Sequence, residues 1–168
     1  MSSKKRREDI VKMLVDENRA IKGTELASLF AVTRQIIVKD IAILRAEGKN
    51  IIATPDGYIF NKDINKVKCI IAVNHDSNKT IEELEIVVKY GGIIEDVIIE
   101  HPLYGEIRGN LMIKNLNDLN KFENEFKKKK VKPLSNLTNG IHLHTIAADT
   151  EDDIKSIKKE LGEKGFLL

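Results

Sequence analysis

Residues 23–45 constrain the fold of this chain more than any other stretch. They read Gly-Thr-Glu-Leu-Ala-Ser-Leu-Phe-Ala-Val-Thr-Arg-Gln-Ile-Ile-Val-Lys-Asp-Ile-Ala-Ile-Leu-Arg, with helical apolar spacing on both sides of a short break. Gly23 and Thr24 open a first helix, with Thr24 as its cap, and Leu26, Ala27, Leu29 and Phe30 fall on its inner side. Ala31 and Val32 make the turn. Thr33 then caps a second helix whose inner stripe is Ile37, Ile41 and Leu44, spaced by four and three. Two short helices with such narrow apolar faces bury them by crossing at a tight turn, and small Ala27 permits the close approach. That is the layout of a helix-turn-helix.

With the inner stripe fixed, Arg34, Gln35, Val38 and Lys39 fall on the outward side. Arg34 and Gln35 lie in the first turn after Thr33, where a recognition helix meets base edges. Arg can give two hydrogen bonds to guanine, and Gln can pair in the same way with adenine. Lys39 and Arg45 are placed for phosphates, so double-stranded operator DNA is the expected partner. Any one of these residues alone would read as an ordinary solvated surface; the pattern as a whole favours DNA. A preceding helix is expected from about Glu8 to Glu17, with Ile10, Val11, Leu14 and Val15 at helical spacing. After Gly48, two β-rich runs flank Pro55-Asp56-Gly57 and predict a hairpin, which makes the motif a winged one. Residues 1–62 form this domain and carry 12 Lys and Arg against 8 Asp and Glu, while residues 63–168 carry 16 against 18. The positive charge thus sits with the motif that needs it.

A polar linker is expected at residues 61–66, and the periodicity then changes. Residues 67–168 read as strand, helix, strand, strand, helix, strand, helix. The βαββαβα order, similar to a ferredoxin-like fold, predicts an α+β domain with a mostly antiparallel sheet and helices on one face. The second helix, at residues 115–130, is expected to face inward through Leu116, Leu119, Phe122 and Phe126. It ends in a run of four lysines that the helix dipole alone explains. No apolar run approaches the roughly 20 residues of a membrane helix. The charged start lacks the apolar segment of a secretory signal, and the lone Cys69 sits in an apolar strand. These features predict a cytoplasmic protein.

All four histidines lie in the second domain. His142 and His144 alternate along a strand, so both point to one face. His75 stands between a strand and a helix, and Glu83 lies on the inner half of that helix, eight residues on. Three imidazoles and one carboxylate suit a borderline divalent transition ion such as Ni, Zn, Fe or Mn. Spacing alone is equally compatible with unrelated surface histidines.

Three segments carry a resemblance. Asn74-His75-Asp76, the run from Glu100 through His101 to Gly105, and Gly140-Ile141-His142-Leu143-His144 are similar to the signature segments of the three-histidine domain. A winged helix-turn-helix before such a domain resembles the NiaR family of niacin-responsive transcriptional repressors, and the resemblance covers nearly the whole chain. It implies a metal held by His75, Glu83, His142 and His144, and places His101 near an effector pocket. It further implies a homodimer that represses genes of NAD biosynthesis and niacin uptake, with nicotinic acid or a related pyridine carboxylate as co-repressor and no enzymatic activity. Two rivals follow from the residues: a metal-dependent hydrolase tethered to DNA, and a regulator for which the metal itself is the signal.

Overall fold

The computed structural model describes residues 2–63 and 65–168. It divides into two compact units after residue 64. Of the expected linker, residue 64 lies outside the described residues, as does Met1.

The first unit is built from three helices and a hairpin. Helix α1 spans Ser3–Asp16, α2 Gly23–Leu29 and α3 Arg34–Ala46. Helix α1 begins earlier than its apolar spacing predicts. Ser2 caps it by accepting from the Lys5 amide, and its extra turn is held because Arg6 is buried against Asp40 of α3. Helix α2 is entered through Lys22 with no side-chain cap, so Thr24 lies inside its first turn rather than at its cap. Leu26 and Ala27 are buried as expected, whereas Leu29 is 57% exposed. Ala31 makes the turn at φ 51, and Thr33 caps α3 by accepting from the Ile36 amide. Ile10, Leu14, Ile21, Leu26, Ile37, Ile41 and Leu44 form one apolar core.

Strands β1 (Ile51–Thr54) and β2 (Gly57–Phe60) pair antiparallel as the wing. Ile21 adds a short third strand through two backbone hydrogen bonds to Tyr58, each 2.9 Å. This pairing explains Gly57: its φ is +133, and a Cβ there would stand 2.4 Å from the Ile21 carbonyl oxygen.

The second unit follows the predicted chain order: β3 (Val67–Asn74), α4 (Thr80–Lys89), β4 (Ile93–His101), β5 (Gly105–Ile113), α5 (Leu116–Lys129), β6 (Ile141–Ala148) and α6 (Glu151–Glu163). Short 3-10 turns at Ser77–Lys79 and Leu134–Thr138 complete it. The four strands are antiparallel neighbours in the order β3-β6-β4-β5. Strand β6 therefore fills the gap that helix α4 leaves between β3 and β4, and is paired along both edges. Helices α4, α5 and α6 cover one face, where Ile71, Val73, Leu84, Val87, Ile94, Leu119, Ile146, Ile157 and Leu161 form the core. In α5, Leu119 is buried, but Leu116 is exposed rather than inward. Lys127 and Lys129 of the basic run pair with Glu123 and Glu125 one turn back. Among the described residues, no helix is long and apolar enough to cross a membrane.

Candidate metal centre and DNA-reading helix

Alternation along β6 decides where the histidines point. Ile146 and Ala148 face the helix-covered core, so His142 and His144 share that face, and both are buried. Opposite them, Glu83 occupies a position of α4 that helical spacing would give to an apolar residue; it is 0% exposed. A carboxylate is costly there unless it is matched by donors or a cation. His75 arrives from the end of β3. Its Nε2 lies 2.7 Å from Glu83 Oε2, and His142 Nε2 lies 3.5 Å from the same oxygen. Donor atoms of His75, Glu83 and His142 all fall within 4.8 Å of one another. His144 stands beside this triad, with Nε2 3.3 Å from Glu83 Oε1.

The far side of each ring fixes its tautomer. His75 Nδ1 donates to the Asp76 carbonyl at 2.8 Å, His142 Nδ1 donates to the Gly140 carbonyl at 2.8 Å, and His144 Nδ1 donates to the Asp96 carbonyl. A carbonyl can only accept, so each Nδ1 carries a proton. In the neutral rings all three Nε2 lone pairs are left aimed at Glu83. This is the arrangement that orients metal-binding imidazoles. Glu83 Oε1 and His144 Nε2 are buried without any hydrogen-bond partner. Two orphaned ligand-type atoms inside a nitrogen and oxygen donor set fit a divalent transition ion. Phe166, which the sequence reading missed, lies edge-on to His75 with centroids 5.3 Å apart. The Phe166 carbonyl accepts from the Asn74 amide, so the C-terminal segment closes this side of the cluster.

The charge balance of the cluster is unusual. Burial pushes the Glu83 carboxyl up, but the charge of His144 and the close approach of the His142 and His75 imidazoles outweigh it and hold it well below the usual carboxylate range. Burial likewise pulls His75 and His144 down, while Glu83 and backbone carbonyls override it and leave both raised. In the metal-free protein, His75 and His144 thus contribute stability that is complete below their ordinary value of 6.5 and lost as pH rises through the raised ones. Glu83 contributes stability present above 4.5 and lost as pH falls through its lowered value. Metal binding needs neutral imidazoles and so strengthens with pH. From pH 6 to 8, the melting temperature should fall in chelator and the added stabilisation by Zn²⁺ should grow. Parallel curves in the two conditions would remove the coupling between these histidines and Glu83.

His101 is built differently. It ends β4, and its Nδ1 accepts from the Leu103 and Tyr104 amides. Its neutral ring therefore carries the proton on Nε2 and presents a donor. Its ring also lies 5.1 Å from the Tyr104 ring, and it is not part of the His75, Glu83 and His142 group.

On α3, Arg34, Gln35, Lys39 and Arg45 are all exposed, as is Thr33. Among the described residues, no ion pair engages these four side chains. Asp40 faces the other way: its carboxylate is 2.7 Å from Arg6 and 3.6 Å from Arg7. The basic residues at the start of the chain, read from sequence as bulk charge, include two that hold the recognition helix.

A reading helix with free bases and a wing, joined to a domain with a buried three-imidazole cluster, defines a DNA-binding transcription regulator. Residues 6–59 match the HTH domain and residues 68–168 match the 3H domain. The chain is 44% identical over 163 residues to the probable transcription repressor NiaR of Thermotoga maritima, covering 97% of this chain and 93% of that protein. It is 34% identical over 167 residues to the transcription repressor NadR of Bacillus subtilis, with the same coverage, 97% and 93%. This chain belongs to the NiaR family of transcription repressors, whose business is regulation rather than catalysis.

Proposed function

We propose that this repressor is a homodimer that binds operator DNA through α3 of each subunit, with an affinity set by nicotinic acid or a related pyridine carboxylate at the metal-bearing second unit. The observation that carries this reading is the inward convergence of Nε2 atoms from His75, His142 and His144 on buried Glu83. Those four residues would hold the ion, which when bound supplies an electrophilic centre for a carboxylate or ring nitrogen. His101, with its Nε2 proton free to donate, would grip the effector's carboxylate. Nicotinic acid as the effector, and niacin and NAD genes as the targets, rest on the family resemblance.

Bound effector would favour the dimer whose two recognition helices stand about 34 Å apart, one turn of DNA. Linkage then requires that DNA tighten effector binding by the same factor, and a useful switch needs about 1–3 kcal/mol of coupling. Operator affinity of the metal-loaded protein should rise at least fivefold, on the order of the lower figure, with saturating nicotinic acid. It should respond less to nicotinamide. In the same assay Arg34→Ala should cost about 1–3 kcal/mol and relax one operator position, while Lys39→Ala should weaken all sequences and flatten the salt dependence. Identical operator curves with nicotinic acid, nicotinamide and neither would replace this reading with that of a metal sensor, for which metal alone promotes binding.

A further inference from the structure

The sheet has an irregular rung beside the cluster. Ile94 pairs with Ile146 and Ile98 with Leu143, so residues 95–97 of β4 span what residues 144 and 145 span on β6. The extra β4 residue therefore lies directly across from His144 and Thr145, and Asp96 sits in this bulge, 3% exposed. Its groups are redistributed. Asp96 Oδ1, not a main-chain carbonyl, accepts the Thr145 amide at 2.8 Å. The Asp96 carbonyl is thus not taken by the Thr145 amide and accepts the His144 Nδ1 proton. Arg108, reaching from β5, clamps the other carboxylate oxygen, Oδ2, and approaches Thr145 Oγ1 at 3.5 Å.

We infer that Asp96, held by Arg108, is a positioning residue for the metal ligand His144. The carboxylate takes over one strand hydrogen bond so that its own carbonyl can orient the imidazole. Without the carboxylate, the Thr145 amide is left to compete for that carbonyl, and the His144 Nδ1 proton loses a dedicated acceptor. Arg108 acts one step further out: it keeps the carboxylate turned toward the Thr145 amide. Arg108 also meets Glu106, but Glu106 is exposed, and among the described residues no hydrogen bond or ion pair joins it to the Thr145 amide or His144.

The inference rests on the metal reading above, so the test has one arm with metal and one without. Full-length Asp96→Ala, Asp96→Asn, Arg108→Met and Glu106→Gln proteins are titrated with Zn²⁺ and Ni²⁺ against a competing chelator. In parallel, nitrogen-15 imidazole spectra of the metal-free proteins report the His144 tautomer and the exchange of its Nδ1 proton. Loss of an outer partner of a ligating histidine typically weakens metal about 10–100-fold. Asp96→Ala should fall in that range, with rapid Nδ1 exchange at His144. Asp96→Asn retains an acceptor for the Thr145 amide and should recover much of the affinity. Arg108→Met, at a side chain 44% exposed, should fold and lie between wild type and Asp96→Ala. Glu106→Gln should match wild type. Asp96→Ala protein with wild-type affinity and an unchanged His144 signature would overturn the inference. A wild-type protein that binds neither ion would instead overturn the metal reading, and the tautomer spectra would still decide whether Asp96 positions His144.

Discussion

Protein carrying His142→Ala and His144→Ala together is expected to purify without divalent transition metal, where the unaltered chain is expected to retain about one ion per subunit. The double change removes two of the three nitrogens aimed at Glu83 and leaves His75 as the one imidazole beside it. Structural Zn²⁺ in zinc-finger peptides contributes roughly 10–16 kcal/mol at neutral pH, which sets the scale for a four-ligand ion. Losing half the donors should weaken retention more than about a thousandfold. Stability should fall as well, because Glu83 at 0% exposure keeps its charge with less to balance it. Metal content by mass spectrometry and melting temperature should therefore drop together. Glu83→Gln separates the two effects: it weakens the ion by removing a charged ligand, yet leaves no unpaired carboxylate in the core. A full metal complement in the double variant would sink the ligand assignment.

The second large effect is expected in the first unit. Asp40→Ala should destabilise it by about 3–5 kcal/mol, the cost of leaving one member of a buried ion pair without its partner. Arg6 is 9% exposed and Asp40 2%, so water cannot readily replace the lost carboxylate. A small unit has only about 5–15 kcal/mol in total, so the loss is a large share. Asp40→Asn keeps the shape and one acceptor oxygen and should cost less. The Arg6→Met, Asp40→Leu double variant, which removes both charges, should recover most of the stability. Thermal unfolding of the three proteins checks the order. An unchanged melting temperature for Asp40→Ala would show that the pair does not secure α1 to α3.

Much of this was legible in the chain because periodicity is local. The stripe Ile37, Ile41 and Leu44 gave α3 and its outward face, and the Asp-Gly pair before Tyr58 gave the wing. His-x-His on a strand put two imidazoles on one face before any pairing was known; that this face is the buried one follows from the packing of β6. What escaped depends on partners far apart in sequence. Arg6 looks like one more charge until Asp40, 34 residues on, is seen to bury it, which is why α1 was expected to begin too late. Leu29 and Leu116 fit an apolar pattern yet lie where their helices turn to solvent. The lateral position of β6 follows from how the helices pack, and chain order does not contain it. Asp96 did leave a trace, an acid inside the apolar run of β4, but its meaning needed the register of β4 against β6.

The three Nδ1 protons end on main-chain oxygens, those of Asp76, Gly140 and Asp96. At Asp76 and Gly140 no side chain is needed to supply the acceptor, so sequence can drift at a position like 76 while the donor cluster keeps its form, whereas at Asp96 the carboxylate keeps the carbonyl available. The burden passes to residues that set the path of the chain. Gly140 carries most of it: its φ is +94, and an added methyl group would stand 2.6 Å from the His75 carbonyl oxygen. The Gly140 carbonyl anchors the His142 ring and also accepts from the His75 amide, at 3.4 Å. Genetic variation in this domain should therefore be felt most sharply at a residue that has no side chain at all, because one misplaced peptide group there would turn two imidazoles at once.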